Sequence, residues 1–329
     1  MTKYKLSGIG NAVVDIISHA DDSFLDLMGI EKGIMQLIER DRGEKLYAAM
    51  SDRLQTPGGS VANTISGVGA LGLPTAFIGR VHDDALGQFY AKAMQESGTD
   101  FVNAPIPNGD LPTSRSMIFI TPDGERSMNT YLGISTELGP RDIPEKVATA
   151  SEMIFLEGYL FDKDQGKEAF RQASRMTRTA GGRAGIAISD PFCVNRHRND
   201  FIEMIKNDLD FVIGNEHEIK SLYETNDLEA AMSKTADMIK LMVCTRSGDG
   251  VTIMSNGERH DIPVNKITPV DATGAGDQFA AGFIYGMVTG RDLETCGKMG
   301  NLCAAEVISH IGPRPATDMR REFARARLE

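Results

Sequence analysis

Residues 153–214 read MIFLEGYLFDKDQGKEAFRQASRMTRTAGGRAGIAISDPFCVNRHRNDFIEMIKNDLDFVIG, and the order of element types in this stretch decides the fold. Short apolar runs alternate with longer amphipathic stretches, in the order 153–158, 164–180, 185–190, 195–206 and 210–214. This alternation is typical of βαβ units, in which helices cover both faces of a mostly parallel sheet. The sequence therefore predicts an α/β fold, built as a three-layer sandwich.

Two segments break this alternation, at about residues 11–40 and 110–134. The second contains TSRSMIFITPDGERSMNTYL (113–132), in which Pro122-Asp123-Gly124 lies between two runs of strand-forming residues. That turn chemistry predicts a β-hairpin. We interpret the two segments as a small separate sheet that closes over a ligand as a lid, so that the chain, 1–329, is one domain with a discontinuous lid.

Composition and charge exclude some classes of partner. Of 329 residues, 41% are hydrophobic and 25% charged, which is ordinary for a compact globular protein. The formal net charge is -11 and the Lys and Arg residues are scattered, so the signature of a nucleic-acid-binding protein is missing. Backbone amides and helix N-termini still bind anions in an acidic protein. Charge therefore argues against a nucleic-acid partner but not against a nucleotide.

The cysteines and the N-terminus indicate the compartment. No C-x-x-C pair and no companion histidine cluster is present, so we expect buried, reduced thiols. Polar residues interrupt the N-terminal stretch before an apolar run becomes long enough for a signal peptide or a membrane span. The sequence predicts a cytoplasmic protein without a membrane partner. The cysteines concerned are Cys193, Cys244, Cys296 and Cys303.

The strongest chemical signal is the segment ITPVDATGAGDQFAAGFIYG (267–286). Its glycines let the backbone approach a ligand closely, and free amides at the start of the following helix form an anion cradle. Such a cradle suits the charge that builds on a transferring phosphoryl group. Asp277, in the first turn of the helix, could accept a hydroxyl proton as a general base. Alternatively, Gly274 and Gly276 only form a tight turn and Asp277 caps the helix.

Two other segments could bind a polyol. TPGGSVANTISGVGALG (56–72) opens a helix with a Gly-Gly turn and places Asn63 in its first turn, although a structural turn with Ser60 as N-cap is the alternative. GIGNAVVDI (8–16) places Asn11 and Asp15 at the end of an apolar strand, where an ionised carboxylate accepts hydrogen bonds from hydroxyls. An exposed turn residue is the alternative for the aspartate. The dinucleotide-binding fingerprint fails here because its third glycine is absent.

A fourth segment, GNEHEIKSL (214–222), carries a candidate metal site. Asn215 and Glu218 are three residues apart and share one face at the start of a helix. Amide and carboxylate oxygens suit Mg²⁺, which keeps most of its water shell. The same N-x-x-E pattern is typical of a capping box, and Glu216 is an equally charged neighbour.

These segments resemble the motifs of the ribokinase or PfkB carbohydrate kinase family, and the ordered motifs extend from Asn11 to Gly312-Pro313. TGAGD at 273–277 resembles the family's second signature, in which GAGD forms the anion hole and its Asp is the catalytic base. GGSVAN at 58–63 resembles the first signature, GG-x-x-x-N, and GNAVVD at 10–15 resembles G-[ND]-x-x-x-D. The resemblance implies an anion hole from Gly274, Ala275 and Gly276, a base in Asp277, substrate binding by Asn11, Asp15, Gly58, Gly59 and Asn63, and Mg²⁺ organised by Asn215 and Glu218.

The resemblance also implies a nucleotide site. LMVCTRSGDGVTI (241–253) is similar to the family's T-x-G-x-x-G segment, which implies that Thr245, Gly248 and Gly250 lie along the nucleotide, although the first Gly is shifted by one. Asn301 matches a position near the adenine, with an ordinary buried helix residue as the alternative. The family usually has Thr or Ser where this chain has Ala272, which puts a contact with phosphate or a monovalent cation in doubt. The implied cofactors are ATP and Mg²⁺, with K⁺ as a further candidate.

Within the family, DGERSMNTYLGIS (123–135) and LEGYLFD (156–162) resemble the adenosine kinase branch. The resemblance implies an ATP-dependent kinase acting on the hydroxymethyl group of a nucleoside or sugar, adenosine kinase-like in first place. A fructokinase, ribokinase or ketodeoxygluconate kinase and a non-catalytic sensor are the alternatives, and both a monomer and a homodimer stay open. A nucleoside base needs apolar surface. The candidates for that surface are Phe24, Met35, Met117, Phe119 and Tyr159.

Overall fold

The computed structural model describes residues 4–329, which form two β-sheets and the helices around them. The larger sheet has nine strands: β1 (Leu6–Ile9), β5 (Thr75–Ile78), β6 (Thr99–Phe101), β9 (Met153–Glu157), β10 (Arg183–Ala187), β11 (Phe211–Asn215), β12 (Leu241–Thr245), β13 (Val251–Ser255) and β14 (Glu258–Ile262). The smaller sheet has five: β2 (Val13–His19), β3 (Met35–Leu37), β4 (Leu54–Gly58), β7 (Ser114–Ile120) and β8 (Arg126–Tyr131).

The helices connect and cover these strands. They are α1 (Asp22–Met28), α2 (Arg40–Ala49), α3 (Ser60–Ala70), α4 (Ala85–Glu96), α5 (Glu145–Ala148), α6 (Asp164–Thr179), α7 (Pro191–Asn207), α8 (Glu216–Ser221), α9 (Leu228–Ala236), α10 (Ala275–Val288), α11 (Leu293–Val307) and α12 (Met319–Arg325). Short 3-10 turns lie at Gly133–Glu137, Pro140–Asp142, Gly158–Asp162 and Ser247–Asp249.

The larger sheet is parallel except at one edge. Its strand order is β14-β13-β12-β11-β10-β9-β1-β5-β6, and only the pairs of β13 with β12 and β14 are antiparallel. Strands such as β9 are buried along their whole length, as expected when helices cover both faces. One apolar core lies between the sheet and α3, α4 and α10, and the other between the sheet and α6 to α9. The predicted three-layer sandwich is confirmed.

The smaller sheet, in the order β3-β8-β7-β2-β4, contains the predicted hairpin of β7 and β8. Its outer face packs on α1 and α2 through Met117 and Phe119, and its inner face carries Asp15, Ser116 and Thr130. One strand was missed, because the segment from residue 56 was interpreted as a Gly-Gly turn before a helix and no structure was predicted for residues 54 and 55. β4 lies at the sheet edge, where the missing N–H of a proline is tolerated. The lid function of this sheet stays a prediction.

Glycines let three helices pack closely beneath the loops that precede them. A Cβ on Gly67 of α3 would lie 2.5 Å from Gln278 Oε1 of α10, and one on Gly282 of α10 would lie 2.5 Å from the Met299 carbonyl oxygen of α11. These contacts are shorter than any side chain tolerates, so only glycine allows the approach. The N-termini of α3 and α10 are thereby held side by side.

Two smaller predictions concern the cysteines and the membrane. The four cysteines are free and buried, as predicted. Within residues 4–329, no helix is both long enough and apolar enough to cross a bilayer.

Candidate active site

A cavity of about 660 Å³ lies between the smaller sheet and the carboxyl ends of the larger sheet's strands. Ligand sites of open α/β sheets usually occur at such strand ends. Glu157 ends β9, Ser189 and Asp190 follow β10, and Asn215 ends β11. The N-termini of α3 and α10 open into the same space. A smaller cavity of about 90 Å³ continues past Asp277 to Thr245 at the end of β12.

The loop before α10 has the geometry of an anion site. Gly274 is the helix N-cap in a left-handed conformation, with φ +79°. The Ala275 N–H donates to the Ala272 carbonyl over 3.2 Å, so this amide is already used. Within residues 4–329, the N–H groups of Gly276 and Asp277 have no hydrogen-bond acceptor. An anion at this helix N-terminus would therefore meet unpaired backbone donors.

Asp277 is held by the neighbouring helix. Its Oδ1 accepts from the Ser60 hydroxyl (2.7 Å), and its Oδ2 accepts from Asn63 Nδ2 (3.0 Å). Burial raises the pKa of the Asp277 carboxyl to about 6, while these hydrogen bonds and the Arg314 charge act in the opposite direction. The group is therefore mainly ionised at neutral pH and remains a competent proton acceptor.

Asp15 projects from β2 into the same cavity, and its carboxylate has no hydrogen-bond or ion-pair partner in the described part of the chain. It lies directly over Gly58, where an added Cβ would come within 2.4 Å of Asp15 Oδ2. Burial raises the pKa of Asp15 to about 7, and the charges of Arg126 and Arg314 oppose that rise. A buried, unpaired acceptor of this kind is suited to binding ligand hydroxyls.

The two predicted asparagines are both in the site, but their amides already have protein partners. Asn63 donates to Asp277 and accepts from Arg314 Nε over 3.3 Å. Asn11 donates to Glu157 Oε1 (2.8 Å) and accepts from the Ser135 hydroxyl (2.8 Å). Each amide retains one N–H donor and one acceptor lone pair for a ligand. Gly59, at φ +100°, brings its backbone against the Asn11 carbonyl, where a Cβ would be 2.3 Å away.

Glu157 was not predicted as a site residue, although it lies at the centre of the site. Its carboxylate accepts from the backbone N–H of Asn11 (3.0 Å) and of Val61 (2.9 Å), as well as from the Asn11 side chain. Burial raises its pKa to about 7. Glu157 thereby joins the loop after β1 to the start of α3. The signal was present, since an acidic residue ends the otherwise apolar run MIFLE.

Asn215 and Glu218 form the capping box that was the alternative interpretation of N-x-x-E. The Glu218 carboxylate accepts from the Asn215 N–H (2.9 Å), and Asn215 Oδ1 accepts from the Glu218 N–H (3.0 Å). Both residues also line the cavity beside Asp277. Burial, with smaller contributions from the charges of Asp190 and Asp277, raises the pKa of Glu218 to about 7, and the hydrogen bond from the Asn215 N–H opposes that rise. A hydrated Mg²⁺ would neutralise this carboxylate, so the residues suit the ion.

No group of three or more His, Cys, Asp or Glu side chains within residues 4–329 forms a cage for a metal. A magnesium ion held mainly by water and phosphate needs no such cage. Glu216 does not line the cavity and pairs with Lys220 over 3.4 Å. The geometry therefore favours Glu218 over Glu216 as the carboxylate facing a bound ion.

Of the four residues of the predicted nucleotide site, one lines a cavity and three contact residues 262–266. Thr245 lines the smaller cavity. Gly250, at φ +84°, packs against Pro263, whose carbonyl accepts from Asn301 Nδ2 over 3.2 Å. A Cβ on Gly248 would be 3.6 Å from the Lys266 side chain. Residues 263–266 thus connect the glycine turn with α11.

Apolar side chains line another part of the large cavity. Of the five predicted candidates, only Met35 and Tyr159 are in this wall; Met117 and Phe119 face the opposite side of the small sheet, where Phe24 packs on Phe119 at 5.3 Å between ring centroids. Alternation along β7 explains the difference, because Ser116 takes the cavity face. The wall residues are Val13, Met35, Leu37, Met128, Leu132, Tyr159 and Phe192.

An ion pair joins the smaller sheet to the loop that precedes α10, residues 271–274, which is named the anion loop below. Arg126 of β8 contacts the Asp271 carboxylate and donates to the Thr273 hydroxyl over 3.2 Å. Asp271 also accepts from the Thr273 N–H (3.0 Å) and the Gly312 N–H (2.9 Å). The negative charge of Asp271 is therefore already compensated by Arg126.

Comparison with known proteins places this geometry in a family. The model of the pfkB family carbohydrate kinases matches residues 27–319. The structure of a probable sugar kinase protein from Rhizobium etli CFN 42 is 42% identical, covers 100% of both chains and gives a TM-score of 0.92. The structure of adenosine kinase from Sinorhizobium meliloti is 44% identical, covers 98% of this chain and 99% of that chain, and gives a TM-score of 0.90.

More distant relatives act on sugars by name. The 5-dehydro-2-deoxygluconokinase 2 of Bacillus cereus is 25% identical, covering 92% of this chain and 95% of its own. Fold and similarity together define the class as phosphotransferases with an alcohol group as acceptor. Within that class, the chain belongs to the PfkB family of carbohydrate kinases. It is a nucleoside or sugar kinase, for which the family implies ATP as the phosphoryl donor together with Mg²⁺.

Proposed function

We propose that this chain phosphorylates the hydroxymethyl group of a nucleoside in the manner of an adenosine kinase, with Asp277 as general base. The observation that carries the proposal is the shared cavity. A carboxylate at a helix N-terminus, the unpaired Asp15 and an apolar wall all face one space of about 660 Å³. That combination suits a molecule with a polar sugar and an apolar base.

In the proposed mechanism, Asp15 binds hydroxyls of the acceptor and Asp277 accepts the proton of the reacting hydroxyl. The unpaired N–H groups of Gly276 and Asp277 stabilise the negative charge on the transferring phosphoryl group. Asn215 and Glu218 would hold the water shell of Mg²⁺, which supplies charge neutralisation at the phosphates when bound. The smaller sheet would exclude water from the site.

A nucleoside is favoured over a free sugar by the apolar wall. Phe192 lines the cavity while 76% of its surface is exposed, so this ring offers a face for stacking. Tyr159 lines the same cavity. The relative from Sinorhizobium meliloti, which is an adenosine kinase by name, supports the same choice. The similarly close relative described as a probable sugar kinase keeps a sugar as the second candidate.

A panel of acceptors tests the proposal. Purified protein is incubated with ATP, Mg²⁺ and one acceptor at a time from a set of nucleosides, fructose, ribose and ketodeoxygluconate, and ADP release is measured. We expect kcat/KM for a purine nucleoside to exceed that for any free sugar by at least about tenfold, because only the nucleoside uses the apolar wall. Turnover of a free sugar with none for adenosine would contradict the proposal. Thermal stabilisation by a ligand without ADP release would indicate a sensor.

The metal assignment is tested by a matched pair of variants. We expect Glu218→Gln to weaken the apparent Mg²⁺ affinity by about tenfold or more, since removal of a carboxylate behind bound water typically costs that much. Glu216→Gln removes an equal charge two residues away, outside the cavity, and is expected to leave the affinity unchanged. The measurement is initial rate against Mg²⁺ concentration at saturating ATP. Equal effects of the two variants would contradict the assignment.

Several expectations from the sequence stay predictions. The lid function, the cytoplasmic location and the choice between monomer and homodimer are among them. So is a requirement for K⁺.

A further inference from the structure

Residues 312–314 form a short strap that is hydrogen-bonded to the anion loop and to α10, the helix that carries Asp277. The Gly312 N–H donates to Asp271 Oδ2 (2.9 Å), and the Pro313 carbonyl accepts from Gln278 Nε2 (3.1 Å). Pro313 also packs against Gly274, where an added Cβ would be 2.6 Å from Pro313 Cα. The position of the next residue, Arg314, is therefore set by the same loop that forms the anion site.

Arg314 continues from this strap into the site as the first member of a hydrogen-bonded chain. Its Nε donates to Asn63 Oδ1 (3.3 Å), and Asn63 Nδ2 donates to Asp277 Oδ2 (3.0 Å). A guanidinium has donors only, so it fixes which end of the amide faces it. The amide nitrogen is thereby turned toward the carboxylate of the base.

The charges around Asp277 are unbalanced. The Asp277 charge raises the pKa of the carboxyls of Asp15 on β2, Glu157 at the end of β9 and Glu218 on α8, and that of the Tyr159 hydroxyl. Within residues 4–329, Arg314 is the one cation whose charge is resolved as acting on Asp277. The Arg314 charge lowers the pKa of Asp15 as well. Arg126 also lowers the pKa of Asp15, but its guanidinium is paired with Asp271.

We propose that Arg314 is a positioning residue for the phosphoryl transfer, which orients Asp277 through the Asn63 amide and supplies the positive charge that keeps this base ionised. The inference rests on the proposed role of Asp277. A position between two prolines, in the sequence GPRP (312–315), gives the side chain a fixed origin.

Three variants test the inference, with kcat measured from pH 5 to pH 9 on the best acceptor. We expect Arg314→Met to lower kcat by at least about tenfold and to move its acid limb up by about one pH unit, as expected when an opposite charge near a carboxylate is removed. Arg314→Lys restores the charge without the planar guanidinium, so its acid limb is expected at the wild-type pH with an intermediate kcat. Arg321→Met removes an arginine whose side chain is 80% exposed and is expected to change neither quantity.

A thermal melt of each variant separates loss of fold from loss of function. An Arg314→Met variant that is folded and has the wild-type acid limb would overturn the inference. A titration of ¹³C-labelled aspartate carboxyls, with the Asp277 signal assigned from Asp277→Asn, measures the same ionisation without turnover. It keeps the inference testable even if the wild-type protein phosphorylates no acceptor in the panel, which would refute the proposed function alone. An Asp277 titration that is identical in Arg314→Met and wild type would also overturn the inference.

Discussion

Asp277→Asn is expected to retain binding of ATP and acceptor and to lose at least about two orders of magnitude in kcat, the typical contribution of a general base. The amide has nearly the same shape as the carboxylate, so the site geometry is preserved as far as the contacts with Ser60 and Asn63 allow. What it lacks is the ability to accept the hydroxyl proton. Because Asp277 must be ionised to act and its pKa is about 6, wild-type kcat is expected to fall as the pH drops through about 6.

The measurement is steady-state ADP release together with calorimetric binding of each substrate. Asp292→Asn is a suitable control, because Asp292 caps α11, which is the role that the alternative interpretation assigns to Asp277 in α10. We expect that control to keep wild-type kcat. A kcat for Asp277→Asn within about threefold of wild type would mean that another group takes the proton, since a base normally contributes far more.

Much of the fold could be predicted from the sequence because its signals are periodic. Buried parallel strands such as β9 are continuous apolar runs, and their alternation with amphipathic stretches predicted the three layers. β4 was missed because LQTPG is short and ends in Pro and Gly, two residues that are depleted in strands. Two candidates for the apolar wall, Met117 and Phe119 on β7, were misplaced for a different reason. A strand's composition does not reveal which of its two faces meets the cavity.

The candidate site was predictable where its residues follow glycine motifs at fixed spacing. The structure places Asn11, Asp15, Asn63 and Asp277 around one cavity. Glu157 and Arg314 carry no such motif, and each acts across a long separation in sequence, through Asn11 and Asn63 respectively. The N-x-x-E pattern shows a further limit. Its two interpretations do not exclude each other, because the capping box itself orients Glu218 at the cavity.

The carboxylates of the site also affect stability. Asp15, Glu157, Glu218 and Asp277 have folded-state pKa values of about 7, 7, 7 and 6, which are above those of exposed carboxyls. Between about pH 4 and pH 7 these four groups therefore bind more protons in the folded protein than in the unfolded chain, so their contribution to the free energy of unfolding falls as the pH rises. Burying these four carboxylates in the site thus lowers the free energy of unfolding at neutral pH.

Gly274→Ala is expected to lower kcat by about a hundredfold, the cost of misplacing reacting groups by roughly 1 Å. Alanine is strained at φ +79°, and its Cβ would come within 2.6 Å of Pro313 Cα, so the loop or the strap must shift. Gly181→Ala is the matched control, because it shares the left-handed backbone (φ +89°) but has no atom within 4 Å of the added Cβ. Comparing kcat and melting temperature of the two variants separates backbone strain from displacement of the anion loop. If the kcat of Gly274→Ala equalled that of Gly181→Ala, the rate of phosphoryl transfer could not depend on the position of this loop.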